Sequence, residues 1–131
     1  MSTRRFAAHL IVAALAAGCA AGPAAAGDRA PCFFITQWQG WKAPSPDVIY
    51  LGVNMHDVYR VDLSAGSPQL QWPNVHLISI VRGGGDSICS AIDLDLKVSD
   101  TLGFATPLIA KSLTKLTPEE VAAIPKKDRP N

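Results

Sequence analysis

From residue 32 to residue 113, short runs of aromatic and β-branched residues alternate with clusters of proline, glycine and asparagine. That is the pattern of strands joined by turns. The first run is Cys32 to Trp38, and Gly40 to Pro46 after it reads as a loop. Val48 to Val53 and Val58 to Leu63 flank Asn54-Met55-His56-Asp57, which predicts a hairpin with a four-residue turn. In the second arm Tyr59, Val61 and Leu63 alternate with Arg60 and Asp62, so one face is buried and one is wet. Ser64 to Pro68 is the next turn. Val75 to Val81 is apolar on both faces, which predicts a central strand ended by Gly83-Gly84-Gly85-Asp86. The longest alternation follows, with Ile92, Leu94, Leu96 and Val98 pointing one way and Asp93, Asp95, Lys97 and Ser99 the other. Phe104 to Leu113 is a last strand, weakened by Pro107. Thr117-Pro118-Glu119-Glu120 is a capping box with proline at the first helical position, opening a short helix that must stop by Pro125. The fold class predicted is mainly β: a small antiparallel barrel or sandwich of five or six strands with a short C-terminal helix, forming one domain over residues 32–131.

The first 26 residues follow a different rule. Arg4 and Arg5 precede an apolar run from Phe6 to Gly18 and then small residues, the layout of a secretory signal. The run is too short and too alanine-rich for a comfortable membrane span. The rest of a twin-arginine motif is missing after Arg4-Arg5-Phe6, which points to general secretion. Two processing routes are open. Leu15-Ala16-Ala17-Gly18-Cys19 is similar to the lipobox of bacterial lipoproteins, although alanine stands at position 16 where leucine is usual, and it would make Cys19 a lipidated first residue. Ala24-Ala25-Ala26 would instead release a soluble protein starting at Gly27. Under either route, residues 20–31 read as a flexible tether.

Composition supports this division. Eleven of the nineteen alanines lie in the first 26 residues, so the 48% hydrophobic content overstates the core. From Gly27 onward, ten basic residues meet eleven acidic ones, leaving no electrostatic footprint for nucleic acid. Both processing routes remove Cys19 from the thiol count. Cys32 and Cys89 remain, without Cys-x-x-Cys spacing, and an oxidising compartment predicts a disulfide between them.

Candidate chemistry is sparse. Asp93 and Asp95, about 7 Å apart on one strand face, could share a cation, but Lys97 continues their row and an ordinary solvated face is the better reading. Gly83-Gly84-Gly85 after Arg82 could offer amides to an anion, yet it has no phosphate-loop spacing and precedes a strand, so it reads as a turn. His56 and His76 lack the convergent partners of a metal site. Trp38, Trp41 and Trp72 could line a ligand groove, though in small β-domains tryptophan more often covers the core. No catalytic, cofactor or metal residue is assigned.

Four segments carry a family resemblance: Cys32-Phe33-Phe34, Val58-Tyr59-Arg60-Val61-Asp62-Leu63, Ile88-Cys89-Ser90-Ala91-Ile92-Asp93, and the tail Leu116-Thr117-Pro118-Glu119-Glu120-Val121-Ala122-Ala123-Ile124-Pro125-Lys126. Together they resemble small exported proteobacterial proteins catalogued only as a domain of unknown function. The resemblance spans about residues 32–130 and implies a periplasmic or lipoprotein setting without catalytic residues to transfer. The pattern of that family has two further cysteines, near Ser67 and near Pro107 here, and this chain has neither, which removes any second disulfide. The expected function is that of a non-enzymatic binding or structural module of the envelope, periplasmic or held at the outer membrane through Cys19. Its partners would be an envelope component and the membrane, with no nucleic acid. The alternative is a periplasmic protein binding a small ligand or a metal.

Overall fold

A computed structural model describes residues 31–130. The signal segment, Cys19 and nearly all of the tether lie outside those residues. Eight strands and one helix follow in order: β1 (Phe33–Phe34), β2 (Trp38–Ser45), β3 (Val48–Val53), β4 (Asp57–Ala65), β5 (His76–Val81), β6 (Ser87–Ile88), β7 (Leu94–Ser99), β8 (Ala105–Lys115) and α1 (Pro118–Ala123). Six of them form a curled antiparallel sheet in the order β2-β3-β4-β8-β7-β5, and β1 pairs with β6 in a separate two-stranded ribbon. The mainly β class, the antiparallel pairing and the short C-terminal helix are as the sequence predicts. The six-stranded sheet keeps two edges, β2 and β5.

The curl turns on β8. Its first residues pair with β7, with Leu108 opposite Leu96 and Pro107 opposite Lys97. From Ile109 onward its partner is β4, through Leu113 opposite Val61 to Lys115 opposite Tyr59. Pro107 therefore falls where β8 is paired on one side only, and its missing N–H costs no ladder bond there. Register shifts around Asp62 and Leu63 let β4 bend with its neighbour. On the wet face there, burial works to raise the Asp62 pKa, but hydrogen bonds from Arg60 and Ser112 and the nearby Arg60 and Lys111 charges outweigh it and hold the carboxyl low.

Inside the curl, Ile49, Leu51, Val61, Ile88, Leu96 and Val98 are fully enclosed, and Phe33, Val53, Tyr59, Leu63, Leu70, Leu94, Leu108 and Leu113 complete one continuous core. Burial of each such side chain contributes roughly 1.5–3 kcal/mol. The alternation Leu94, Leu96, Val98 is buried as predicted.

Five expectations need correction. Gly40 to Pro46, read as a loop, lies within β2 apart from Pro46: Gly40 and Pro44 suggest a loop by type, but the strand accommodates them at an edge with two register shifts. The run Cys32 to Trp38 is not one strand, because a 3-10 turn at Ile35–Gln37 separates β1 from β2. Val75 to Val81 yields β5, which is an edge strand with Ile78 and Ile80 on the exposed face. Ile92 and Asp93 belong to a 3-10 turn at Ala91–Asp93, and Ile92 is 73% exposed. The hairpin is present but tighter than predicted, because Val53 pairs with Asp57 and leaves three turn residues, of which Asn54 and Met55 have left-handed φ values of 50° and 62°.

Cys32 and Cys89 are joined in a disulfide, their Cα atoms 4.1 Å apart. The bond continues the ribbon register, in which Phe33 faces Ile88 and Phe34 faces Ser87. Polar bonds join the segment after Ser67 to the start of β8. Thr106 Oγ1 donates to Gln69 Oε1 at 2.7 Å, and Gln69 Nε2 to the Phe104 carbonyl at 3.5 Å.

Candidate functional site

The residues that converge on an open surface come from three separate parts of the chain. Trp41 sits on β2 opposite the enclosed Leu51, so one side of its indole packs on the core. The second part follows β4. A Cβ at Gly66 would run into the Pro46 carbonyl oxygen, which accepts the Ser67 N–H at 3.1 Å, so only glycine lets the chain pass this close. Ser67 Oγ then accepts from Gln69 N at 3.2 Å and opens a 3-10 turn at Pro68–Gln71. Leu70 anchors that turn in the core, while Trp72 emerges from its end 57% exposed. Asn74, at φ 60°, redirects the chain into β5.

The third part is the C-terminal tail. Thr117 and Glu120 cap α1 reciprocally, with Glu120 N donating to Thr117 Oγ1 at 3.2 Å and Thr117 N to Glu120 Oε2 at 2.8 Å. Arg129 closes its other end, donating from Nε to the Ile124 carbonyl and from Nη2 to the Ala122 carbonyl at 2.9 and 2.7 Å. Ile124 is buried, and a 3-10 turn at Lys126–Asp128 settles beside β2. Between these three parts lies an open groove of about 420 Å³ whose walls include Trp41, Trp72, Lys42, Lys127, Gln71 and Asn74. Gln71 Nε2 donates to the Pro44 carbonyl at 3.1 Å and so ties two of the walls together. Trp38 takes no part, since its Nε1 donates to the Gly40 carbonyl at 2.8 Å and its ring packs on the core.

No family model, curated protein or solved structure matches this chain. Chemistry therefore has to be read from the groove itself. The lining brings together two indoles, two exposed lysines beside the carboxylate of Asp128, and two amide side chains that offer donors and acceptors. Such a set can stack a ring and hold polar or anionic substituents.

The remaining candidates do not converge. Asp93 is not beside Asp95 on a strand face; its Oδ2 accepts from Cys89 N, Ser90 N and Ser90 Oγ at 2.9, 2.9 and 3.0 Å, closing the turn next to the disulfide. Asp95 faces Arg82 at 3.7 Å. Gly83 and Gly84 have φ values of 88° and 74°, which gives the turn after β5 its glycines without any ligand. His56 and His76 are exposed in different places, and among the described residues no group of three or more His, Cys, Asp or Glu could hold a metal. Nothing local in the sequence marks Lys127 and Asn74 as neighbours of Trp41.

Asp93 is thus a structural residue. Asp93→Ala should cost about 1–2 kcal/mol, the scale of losing a helix cap and leaving amides unsatisfied. Asp95→Ala should stay within about ±0.5 kcal/mol. Urea titration of the two variants checks both values, and equal midpoints would sink the distinction.

Proposed function

We propose that this chain is an exported, non-enzymatic envelope module whose groove binds a sugar-like ligand bearing negative charge. The reading rests above all on the convergence of Trp41 and Trp72, from distant segments, around one open cleft where Lys42 and Lys127 outnumber the single carboxylate of Asp128. Trp72 leaves more than half its surface in water at that cleft, where it can be covered by a ligand. Export and a periplasmic or outer-membrane address are supported by the basic and apolar N-terminal pattern and by a disulfide, which persists in oxidising compartments. The resemblance to small exported proteins of unknown function points the same way. Among the described residues no helix is long and apolar enough to cross a membrane, and attachment would come from lipidated Cys19.

An acidic oligogalacturonate should quench or shift tryptophan emission of the purified protein, with neutral maltotriose giving a weaker response. Trp72→Ala should weaken the acidic sugar by roughly tenfold or more, the effect of losing one aromatic stacking face at about 1–3 kcal/mol. Indifference of the emission to both sugars would remove the groove reading.

Anchoring has its own test. Wild-type protein should sediment with membranes and Cys19→Ala should be soluble. If both are soluble, cleavage after Ala26 replaces lipidation.

A further inference from the structure

The two edges of the sheet are not alike. β2 carries Pro44, Lys42 and two register shifts, and Gln71 and the C-terminal tail lie against it. Those are the devices that blunt an edge against further pairing. β5 has none of them: His76 to Val81 contains no proline, no lysine and no bulge, and all six residues are in register with β7. Its outward face bears Ile78 and Ile80, exposed by 43% and 58%.

The direction of its free hydrogen-bonding groups follows from one bond. Arg82 N donates to the Asp93 carbonyl at 2.9 Å, so in the alternating antiparallel pattern the backbone groups of His76, Ile78 and Ile80 also turn toward β7. The N–H and C=O of Leu77, Ser79 and Val81 then point away from the sheet. Ser79 adds a second observation. Its hydroxyl is buried and is the one such side-chain atom without a hydrogen-bond partner among the described residues.

We infer that β5 pairs antiparallel with β5 of a second copy of this chain, about a two-fold axis through Ser79. In that register Ser79 faces its own counterpart and Leu77 faces Val81, so every outward N–H and C=O on the three residues is bonded. Each hydroxyl is enclosed within its own copy, so Ser79 turns about χ1 before the two, each both donor and acceptor, bond across the axis. On the outer face Ile80 meets Ile78 of the second copy. Asp95 lies beside Ile80, and Lys97 beside Ile78. Each row therefore runs from a carboxylate through two isoleucines to an ammonium of the other copy, a complementary arrangement that the two-fold repeats with opposite sense. At the two ends Arg82 and His76 face each other in solvent.

The processed protein purified from cells should double in mass by sedimentation equilibrium as its concentration rises. Hydrogen exchange should slow in parallel at the amides of Leu77, Ser79 and Val81, while those of Ile78 and Ile80, bonded to β7, are slow throughout. Ile80→Lys, on the exposed face, should leave the monomer folded by circular dichroism and raise the dissociation constant roughly tenfold or more. A monomeric mass up to millimolar concentration overturns the inference and leaves the edge to a strand of another protein. A dimer unaffected by Ile80→Lys, or one whose Leu77, Ser79 and Val81 amides still exchange fast, overturns it equally.

Discussion

Cys32→Ala/Cys89→Ala lowers the stability of the processed protein by roughly 4 kcal/mol, the loop-closure value for a bond spanning 57 residues. Unfolded-state structure can only reduce that figure, yet against a total of about 5–15 kcal/mol it is a large share. The geometry says where the loss falls. The disulfide extends a ribbon of two residue pairs, too short to persist alone, and the ribbon holds Phe33 and Ile88 in the core. Without the bond, the segment before β2 keeps those two side chains, the Ile35 N–H bond to the Asp86 carbonyl at 2.8 Å and the Tyr59 hydroxyl bond to the Pro31 carbonyl. Chemical denaturation with and without reductant measures the difference. A midpoint that reductant does not move would mean that the core alone holds the domain.

Tyr59→Ala should cost about 3–5 kcal/mol, as for other large aromatic truncations in a core. Its ring is 2% exposed and tilts against Phe33 with centroids 4.6 Å apart, while its hydroxyl donates to the Pro31 carbonyl at 2.8 Å near the surface. Tyr59→Phe keeps the ring and should lose only about 0.5–1.5 kcal/mol, the net value of one hydrogen bond. Burial raises the Tyr59 pKa, with Lys115 opposing and Asp57 assisting. A phenol whose native pKa is raised holds its proton in the folded state above pH ~10, where the unfolded chain gives it up. Its contribution is therefore whole below that pH and is lost as pH rises toward the native value. Tyr59→Phe should flatten the alkaline end of the stability profile, and an unchanged slope there would count against the burial argument. Because Pro31 precedes Cys32, the hydrogen bond and the disulfide restrain the same few residues, and the two losses should not add.

What could be read along the chain was whatever repeats locally. Leu94, Leu96 and Val98 announce β7 by alternation, Thr117 and Glu120 announce α1 by capping chemistry, and Asn54-Met55-His56-Asp57 announces a turn by breaking two strand-like runs. β2 was hidden because Gly40 and Pro44 are loop residues by type, and only the pairing with β3 makes them strand. The place of β5 is hidden in the sequence for a related reason. Two apolar faces look the same whether the second meets a neighbouring layer or water, and burial is a property of the assembled sheet. The groove was half legible: its tryptophans stand out, but Lys127 reaches it only because α1 and Ile124 bring the tail back to β2. Asp93 had the right chemistry and the wrong setting, since a 3-10 turn took it out of the alternating row.

The handover at β8 also governs how this molecule comes apart. Neither the group β2-β3-β4 nor the group β5-β7 has a boundary strand of its own on the inner side, because each is completed by a different stretch of the same β8. Peeling either group away strips half of one strand and exposes Leu108 or Leu113, which the other group needs as well. Partial opening thus forfeits most of the core at once, and the amides along β8 are released only when the whole domain unfolds, in a single cooperative step.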